Sequence, residues 1–263
     1  MLLYRLGPEG LWAAGRDERS LRWLYSDPLE TPAAAWELGK EVEPSSLQPL
    51  APAAPRKIVG IGRNYREHAA ELGNAMPAEP LVFLKATTAL IGPREPIALP
   101  PQSADVQYEG EIALVLGSTA RRVDEAAAAD AILGWTAACD VTARDLQRRD
   151  QTFARAKSFD TFCPLGPAIH LGVPGPEVTV VTRVNGVERQ RGRVADMAWG
   201  PAALVAYVSR FITLEPGDLL LTGTPAGVAT LKPGDQVEVE VSDVGVLANP
   251  VEALRLTPSV VGG

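Results

Sequence analysis

The run Tyr108-Glu109-Gly110-Glu111-Ile112-Ala113-Leu114-Val115-Leu116-Gly117 decides how this chain is read. It has the length and aliphatic content of a β-strand, and side chains alternate across a strand, so Glu109 and Glu111 point to one face about 7 Å apart. Ala113 and Val115 continue that face, while Tyr108, Gly110, Ile112 and Leu114 take the other. A solvent-facing strand seldom runs Glu, Glu, Ala, Val. Two readings follow: a rim pair of exposed glutamates, or two carboxylates kept on a rigid strand for chemistry.

Outward from this strand the chain keeps the same character. KIVGIG (57–62), LVFLK (81–85), ILGWTAACD (132–140), VTVVTRVNG (178–186), DLLLTG (218–223) and QVEVEV (236–241) are strand-length apolar runs bounded by turn signals. Asn185-Gly186 predicts a two-residue hairpin. Pro216-Gly217 and Pro233-Gly234 predict type II turns, each launching a strand. Helical spacing is confined to about 65–72, 124–132, 142–149 and 200–211, the last with Pro201 at a first-turn position. The expected class is α+β, dominated by β. LLYRL, GPEG and LWAA at the start predict a hairpin, and the proline-rich stretch from Pro44 to Pro55 predicts a linker. The expected division is therefore a small N-terminal β-rich domain with its linker over 1–54 and a larger domain over 55–263.

Composition narrows the function. With 32 acidic against 25 basic residues the formal charge is −7, and the basic residues form no block, so nucleic acid is not an expected partner. No apolar run approaches the ~18 residues of a membrane span, and the first residues lack a secretory pattern; a cytoplasmic protein is expected. Cys139 and Cys163 have neither the spacing of a zinc site nor the context of a disulfide scaffold.

Asp140 ends an apolar run, where a carboxylate is costly unless paired, hydrogen-bonded or bound to a metal. With Glu109 and Glu111 it makes an all-oxygen donor set that suits a hard ion, Mg²⁺ first, with Mn²⁺ or Ca²⁺ as alternatives. The competing reading makes Asp140 or Thr142 the cap of the helix that follows. His68 and Glu71 share a helical face, either as a surface pair or as a dyad in which the carboxylate fixes the imidazole tautomer for proton transfer. Gly60, Gly62, Gly73 and Asn74 bracket that segment and allow it to act as a lid. Lys157 is either a solvated charge or a partner for a substrate carboxylate. LTGTPAGV (221–228) can offer backbone N–H groups and the Thr224 hydroxyl to an anion. Arg63, Arg144 and Arg155 are the candidates for a second substrate carboxylate, and His170 is read as structural. Gly60-Ile61-Gly62 is not a dinucleotide fingerprint, because Tyr65 stands where a third small residue is needed.

Taken in order, GRNYREHAAELG (62–73), PLVFLK (80–85), YEGEIALVLG (108–117), ACDVTARDLQ (138–147), RAKSFDTFCPLGP (155–167), VNG (184–186) and LTGTPAGV resemble the fumarylacetoacetate hydrolase family over about residues 56–256. The resemblance implies a mixed β-sandwich roll, a divalent metal and a homodimer. It implies Glu109, Glu111 and Asp140 as metal ligands, His68 and Glu71 as the lid dyad, Lys157 as a catalytic residue, and Gln147 and Thr224 as substrate contacts. Within the family the sequence is most similar to the bacterial 2-hydroxyhepta-2,4-diene-1,7-dioate isomerases, with acylpyruvate hydrolases and oxaloacetate decarboxylases or tautomerases as related activities. The expected substrate is a small 2-oxo or 2-hydroxy acid. A non-catalytic small-ligand binder on the same scaffold is the rival from another class.

Overall fold

A computed structural model describes residues 1–31, 33–43 and 48–254. The chain begins with β1 (Leu2–Leu6), β2 (Leu11–Gly15), β3 (Arg22–Leu24) and β4 (Leu38–Glu41). It continues with β5 (Ile58–Gly62), α1 (Arg66–Glu71), β6 (Leu81–Lys85), β7 (Leu90–Ile91), β8 (Ile97–Leu99), β9 (Val106–Gln107) and β10 (Gly110–Leu116). Next come α2 (Glu125–Ala131), β11 (Ile132–Cys139), β12 (Thr142–Ala143), α3 (Arg144–Arg149), α4 (Ala154–Lys157) and β13 (Cys163–Leu171). The last elements are β14 (Thr179–Val184), β15 (Val187–Arg193), α5 (Pro201–Ser209), β16 (Leu219–Leu221), β17 (Gln236–Val241) and β18 (Gly245–Ala253).

The β-dominated α+β class is the one observed. One large mixed sheet runs β4-β3-β2-β1-β13-β11-β10-β16-β5-β6, with β7 beside β13, and a second runs β15-β14-β17-β18-β8. The second sheet packs across β10, β11 and β13 of the first. It covers one face of β10, a strand whose every residue is buried. The approach is close enough to need a glycine: a Cβ on Gly110 would lie 1.9 Å from Thr182 Oγ1 of β14.

Local signals set many of the boundaries. Asn185 and Gly186 both take positive φ, 54° and 75°, as the two central residues of a type I′ hairpin require. Gly217 and Gly234 take φ of 82° and 93° behind their prolines, and Asp218 and Asp235 close the turns by donating N–H to Glu215 O at 3.0 Å and Lys232 O at 3.1 Å. Pro201 opens α5 in the first turn. The single turn α4 was not expected from the sequence, because four residues carry too little periodicity to register.

The N-terminal hairpin forms as expected, and its β1 adds to β13 of the large sheet with Leu2 opposite His170. Of the proline-rich stretch, residues 44–47 lie outside the described residues. The remainder is pinned down: Leu50 N–H donates to Arg5 O at 2.8 Å, and Pro52, Ala53 and Pro55 are buried. Among the described residues no helix is long and apolar enough to cross a membrane.

Candidate metal centre and active-site cleft

Glu109, immediately before β10, Glu111, within it, and Asp140, immediately after β11, come together because β10 and β11 pair antiparallel with Gly110 opposite Cys139. Each offers a carboxylate oxygen, the three oxygens lie within 4.8 Å of one another, and the residues are 4%, 2% and 0% exposed. The rim reading of the glutamates is thereby excluded. So is the helix-cap reading of Asp140 and Thr142. No side chain caps α3, whose N-terminus follows Ala143, and the Thr142 hydroxyl donates to Asp140 O instead.

Burying three carboxylates demands counter-charge, and the chain brings three cations to two of them. Lys157 Nζ, from the end of α4, donates to Glu109 Oε2 at 2.6 Å and Asp140 Oδ2 at 2.5 Å. Lys85 Nζ, from the end of β6, donates to Asp140 Oδ1 at 2.6 Å and also to the Lys157 carbonyl. Arg144, at the start of α3, pairs with Glu109 Oε1, donates to Gln107 Oε1 at 2.9 Å and reaches Gln147 Oε1 at 2.5 Å. Burial opposes charge on Glu109, yet Lys157 and Arg144 beside it hold its carboxyl well below the usual range. Burial likewise opposes the charge on Lys157, and Asp140 and Glu109 overcome it and raise its pKa.

Glu111 is the exception. It accepts Gly223 N–H at 2.6 Å but has no cationic partner among the described residues. Burial, then the charges of Asp140 and Glu109, push its carboxyl well above the ordinary value. A buried carboxylate crowded by two others and lacking a cation is what a divalent ion would complete, and the all-oxygen set suits a hard ion. The donors present fit a metal.

Glu109, Glu111, Arg144 and Lys157 open onto a cleft also lined by Arg63, His68, Gln147 and Thr224. His68 Nδ1 lies 3.1 Å from Glu71 Oε2, and the other Glu71 oxygen accepts Gly227 N–H at 2.9 Å. An ionised carboxylate can only accept, so it fixes the proton on Nδ1 and leaves the Nε2 lone pair available. Thr224 is held before it meets any ligand: its hydroxyl donates to Gly110 O at 2.8 Å and accepts from Gln190 Nε2 at 2.8 Å. Gln190 also accepts Gly110 N–H at 3.0 Å and donates to Pro225 O at 2.7 Å, tying the 222–227 loop to the strand that carries the glutamates.

Lys157 is thus no free solvated charge. Lys85 and Gln190 were missed by sequence reasoning; a lone lysine at a strand end and a glutamine in the polar run VERQRGR carry no signal of burial. Of the glycines expected to give the α1 segment flexible ends, Gly60 is paired on both sides within the sheet, and a Cβ there would lie 2.2 Å from the Phe83 ring, so close packing accounts for that glycine. Gly73, by contrast, has φ of 68° just past α1, where glycine serves as a helix stop.

Residues 57–252 match the family model described as fumarylacetoacetate hydrolase C-terminal. The chain is 38% identical to a crystal structure named 5-carboxymethyl-2-hydroxymuconate delta-isomerase from Mycobacterium smegmatis, with a TM-score of 0.86 over 97% of this chain and 100% of that one. It is 37% identical to a 2-hydroxyhepta-2,4-diene-1,7-dioate isomerase structure from Mycobacterium marinum, with a TM-score of 0.85 over 96% and 98% of the two chains. It is also 40% identical, over 77% of its own length and 68% of the relative's, to the mitochondrial oxaloacetate tautomerase FAHD2A of Homo sapiens.

Proposed function

The chain belongs to the fumarylacetoacetate hydrolase family, and on that premise we propose that it is a Mg²⁺-dependent isomerase of the 2-hydroxyhepta-2,4-diene-1,7-dioate type, moving a proton along a 2-oxo or 2-hydroxy dicarboxylate. The observation that carries this reading is one cleft lined by two of the three buried carboxylates, Lys157 and the His68 imidazole. Glu109, Glu111 and Asp140 would hold the cation, Mg²⁺ by donor hardness with Mn²⁺ or Ca²⁺ as substitutes. Bound there, it supplies Lewis-acid charge to the oxygens of a 2-oxo acid.

The chain's own groups do the rest. Lys157 holds Glu109 and Asp140 in place through a hydrogen bond to each. His68 Nε2 takes up a proton from the carbon next to the 2-oxo group and returns it at another carbon of the same conjugated chain, shifting the double bond, with Glu71 holding the ring in the tautomer that can do so. Gln147 and Thr224 contact the ligand at the cleft wall. The relatives named isomerase and tautomerase favour proton transfer over water attack. The human relative's name favours oxaloacetate tautomerisation as the second reading, and the same residues serve it. The homodimer implied by the family resemblance belongs to the same proposal, and sedimentation measures it.

The test is an NMR time course of the protein with Mg²⁺ and an acylpyruvate in D₂O, against a protein-free control. Deuterium entry at C3 without cleavage is expected. Cleavage would replace the isomerase with an acylpyruvate hydrolase, and CO₂ release from oxaloacetate would replace it with a decarboxylase. Inertness toward the acylpyruvate, oxaloacetate and the longer dienedioates would leave a non-catalytic binder.

A further inference from the structure

A dicarboxylic substrate has a second carboxylate, and three arginines were candidates to receive it. Arg155 is exposed and already bidentate with Asp150, at 2.8 and 2.6 Å. Arg144 is buried and committed to Glu109, Gln107 and Gln147. Arg63 remains. It lines the cleft, is half-buried, and among the described residues has neither an ion pair nor a side-chain hydrogen bond.

Its backbone is held in a conformation that side chains rarely adopt. Arg63 has φ of 58°, in the left-handed region, between Gly62 and Asn64. Asn64, fully buried, enforces it: Nδ2 donates to Thr222 O at 2.8 Å and Trp199 O at 3.1 Å, and Oδ1 accepts Trp199 N–H at 2.9 Å. Gly223, whose N–H holds Glu111, lies directly against this lock; a Cβ on it would be 2.8 Å from Asn64 Cβ. Strain of this kind persists where surrounding structure over-determines it, and it is typical of ligand clamps.

The charge inventory agrees. Lys85, Arg144 and Lys157 are used up on Glu109 and Asp140, so Arg63, which lines the cleft, carries a charge that is not committed to the metal-ligand cluster. Leu72, Leu81, Phe83 and Phe153 wall the same cleft and suit a carbon chain separating two carboxylates. Resting on the 2-oxo acid reading above, we infer that Arg63 is the specificity-determining residue, whose planar fork binds the carboxylate of the substrate remote from the 2-oxo group.

Calorimetry of the Mg²⁺-loaded protein with two six-carbon probes, 2-oxoadipate and 2-oxohexanoate, tests this. Arg63→Asn deletes the cation with a residue that tolerates a left-handed backbone, and Arg63→Lys keeps the charge without the fork. The wild type should prefer the dicarboxylate, and Arg63→Asn should cut that preference by about 10- to 100-fold, with Arg63→Lys in between. An unchanged ratio of dissociation constants in Arg63→Asn, whether both probes weaken or neither does, overturns the assignment. Deuterium entry at C3 of the same probes with the wild type reports separately on the proton-transfer reading. No exchange with a collapsed ratio removes that reading and keeps Arg63, and exchange with an unchanged ratio does the reverse.

Discussion

Lys85 and Glu109 show how much of the centre rests on single buried charges. Lys85→Met leaves the fully buried Asp140 with one cation fewer. Breaking a buried pair from one side typically costs ~3–5 kcal/mol, so its urea midpoint in chelator should fall by that equivalent. Unchanged stability would mean Asp140 does not depend on Lys85. Glu109→Gln removes a metal donor while nearly keeping its shape. Turnover at saturating Mg²⁺ should drop by at least ~100-fold, and the rise in melting temperature on adding Mg²⁺ should disappear. Full activity, or equal wild-type activity in excess chelator, would remove the metal from the reaction. The two residues differ in legibility. Glu109 stood out because alternation put it beside Glu111 on a strand otherwise apolar. Lys85 did not, since nothing local separates a buried lysine at a strand end from a solvated one.

At the scale of elements, α1 is six residues long and survives by what it touches rather than by helix propensity, isolated helices that short being unstable. Its useful product is the spacing of three that puts Glu71 against His68 Nδ1. His68→Ala should lower turnover by ~10²- to 10⁴-fold while leaving Mg²⁺ affinity nearly unchanged, as read by kinetics and a metal titration on the same sample. The reverse pattern would place His68 in metal binding rather than proton transfer. The β5–β6 pair gives a packing prediction. Gly60 lies under the Phe83 ring, which meets Phe153 edge-on at 5.9 Å between centroids and carries Lys157 Nζ at 5.0 Å from its centre. Gly60→Ala should therefore destabilise by ~1–3 kcal/mol through overpacking. Equal thermal stability would mean the ring moves freely aside. This tight glycine could not be told from a hinge by sequence, because both uses call for the same residue.

Over the whole molecule, the site lies at the paired ends of β10 and β11 in the large sheet, and burial there governs reactivity beyond the carboxylates. Burial pushes the thiols of Cys139 and Cys163 up to about 12, so neither offers thiolate at pH 8 in the folded protein. A disulfide-exchange reagent should titrate no thiol in the native state and two in denaturant; rapid native labelling would show that this core opens. The sequence by itself determined the strands, the hairpin and type II turns, and the pairing of two glutamates on one face, since these depend on period and on residues whose backbone preferences are local. It also placed Asp140, His68 and Glu71 as candidates through cost and spacing. Only the tertiary structure decided that Lys157 and Lys85 serve Asp140, that Arg144 serves Glu109, that Gln190 clamps the Thr224 loop, and that Arg63 has no ion pair among the described residues. A charge's role depends on which opposite charge shares its low-dielectric surroundings, and here residues 17 to 55 positions apart in sequence share one.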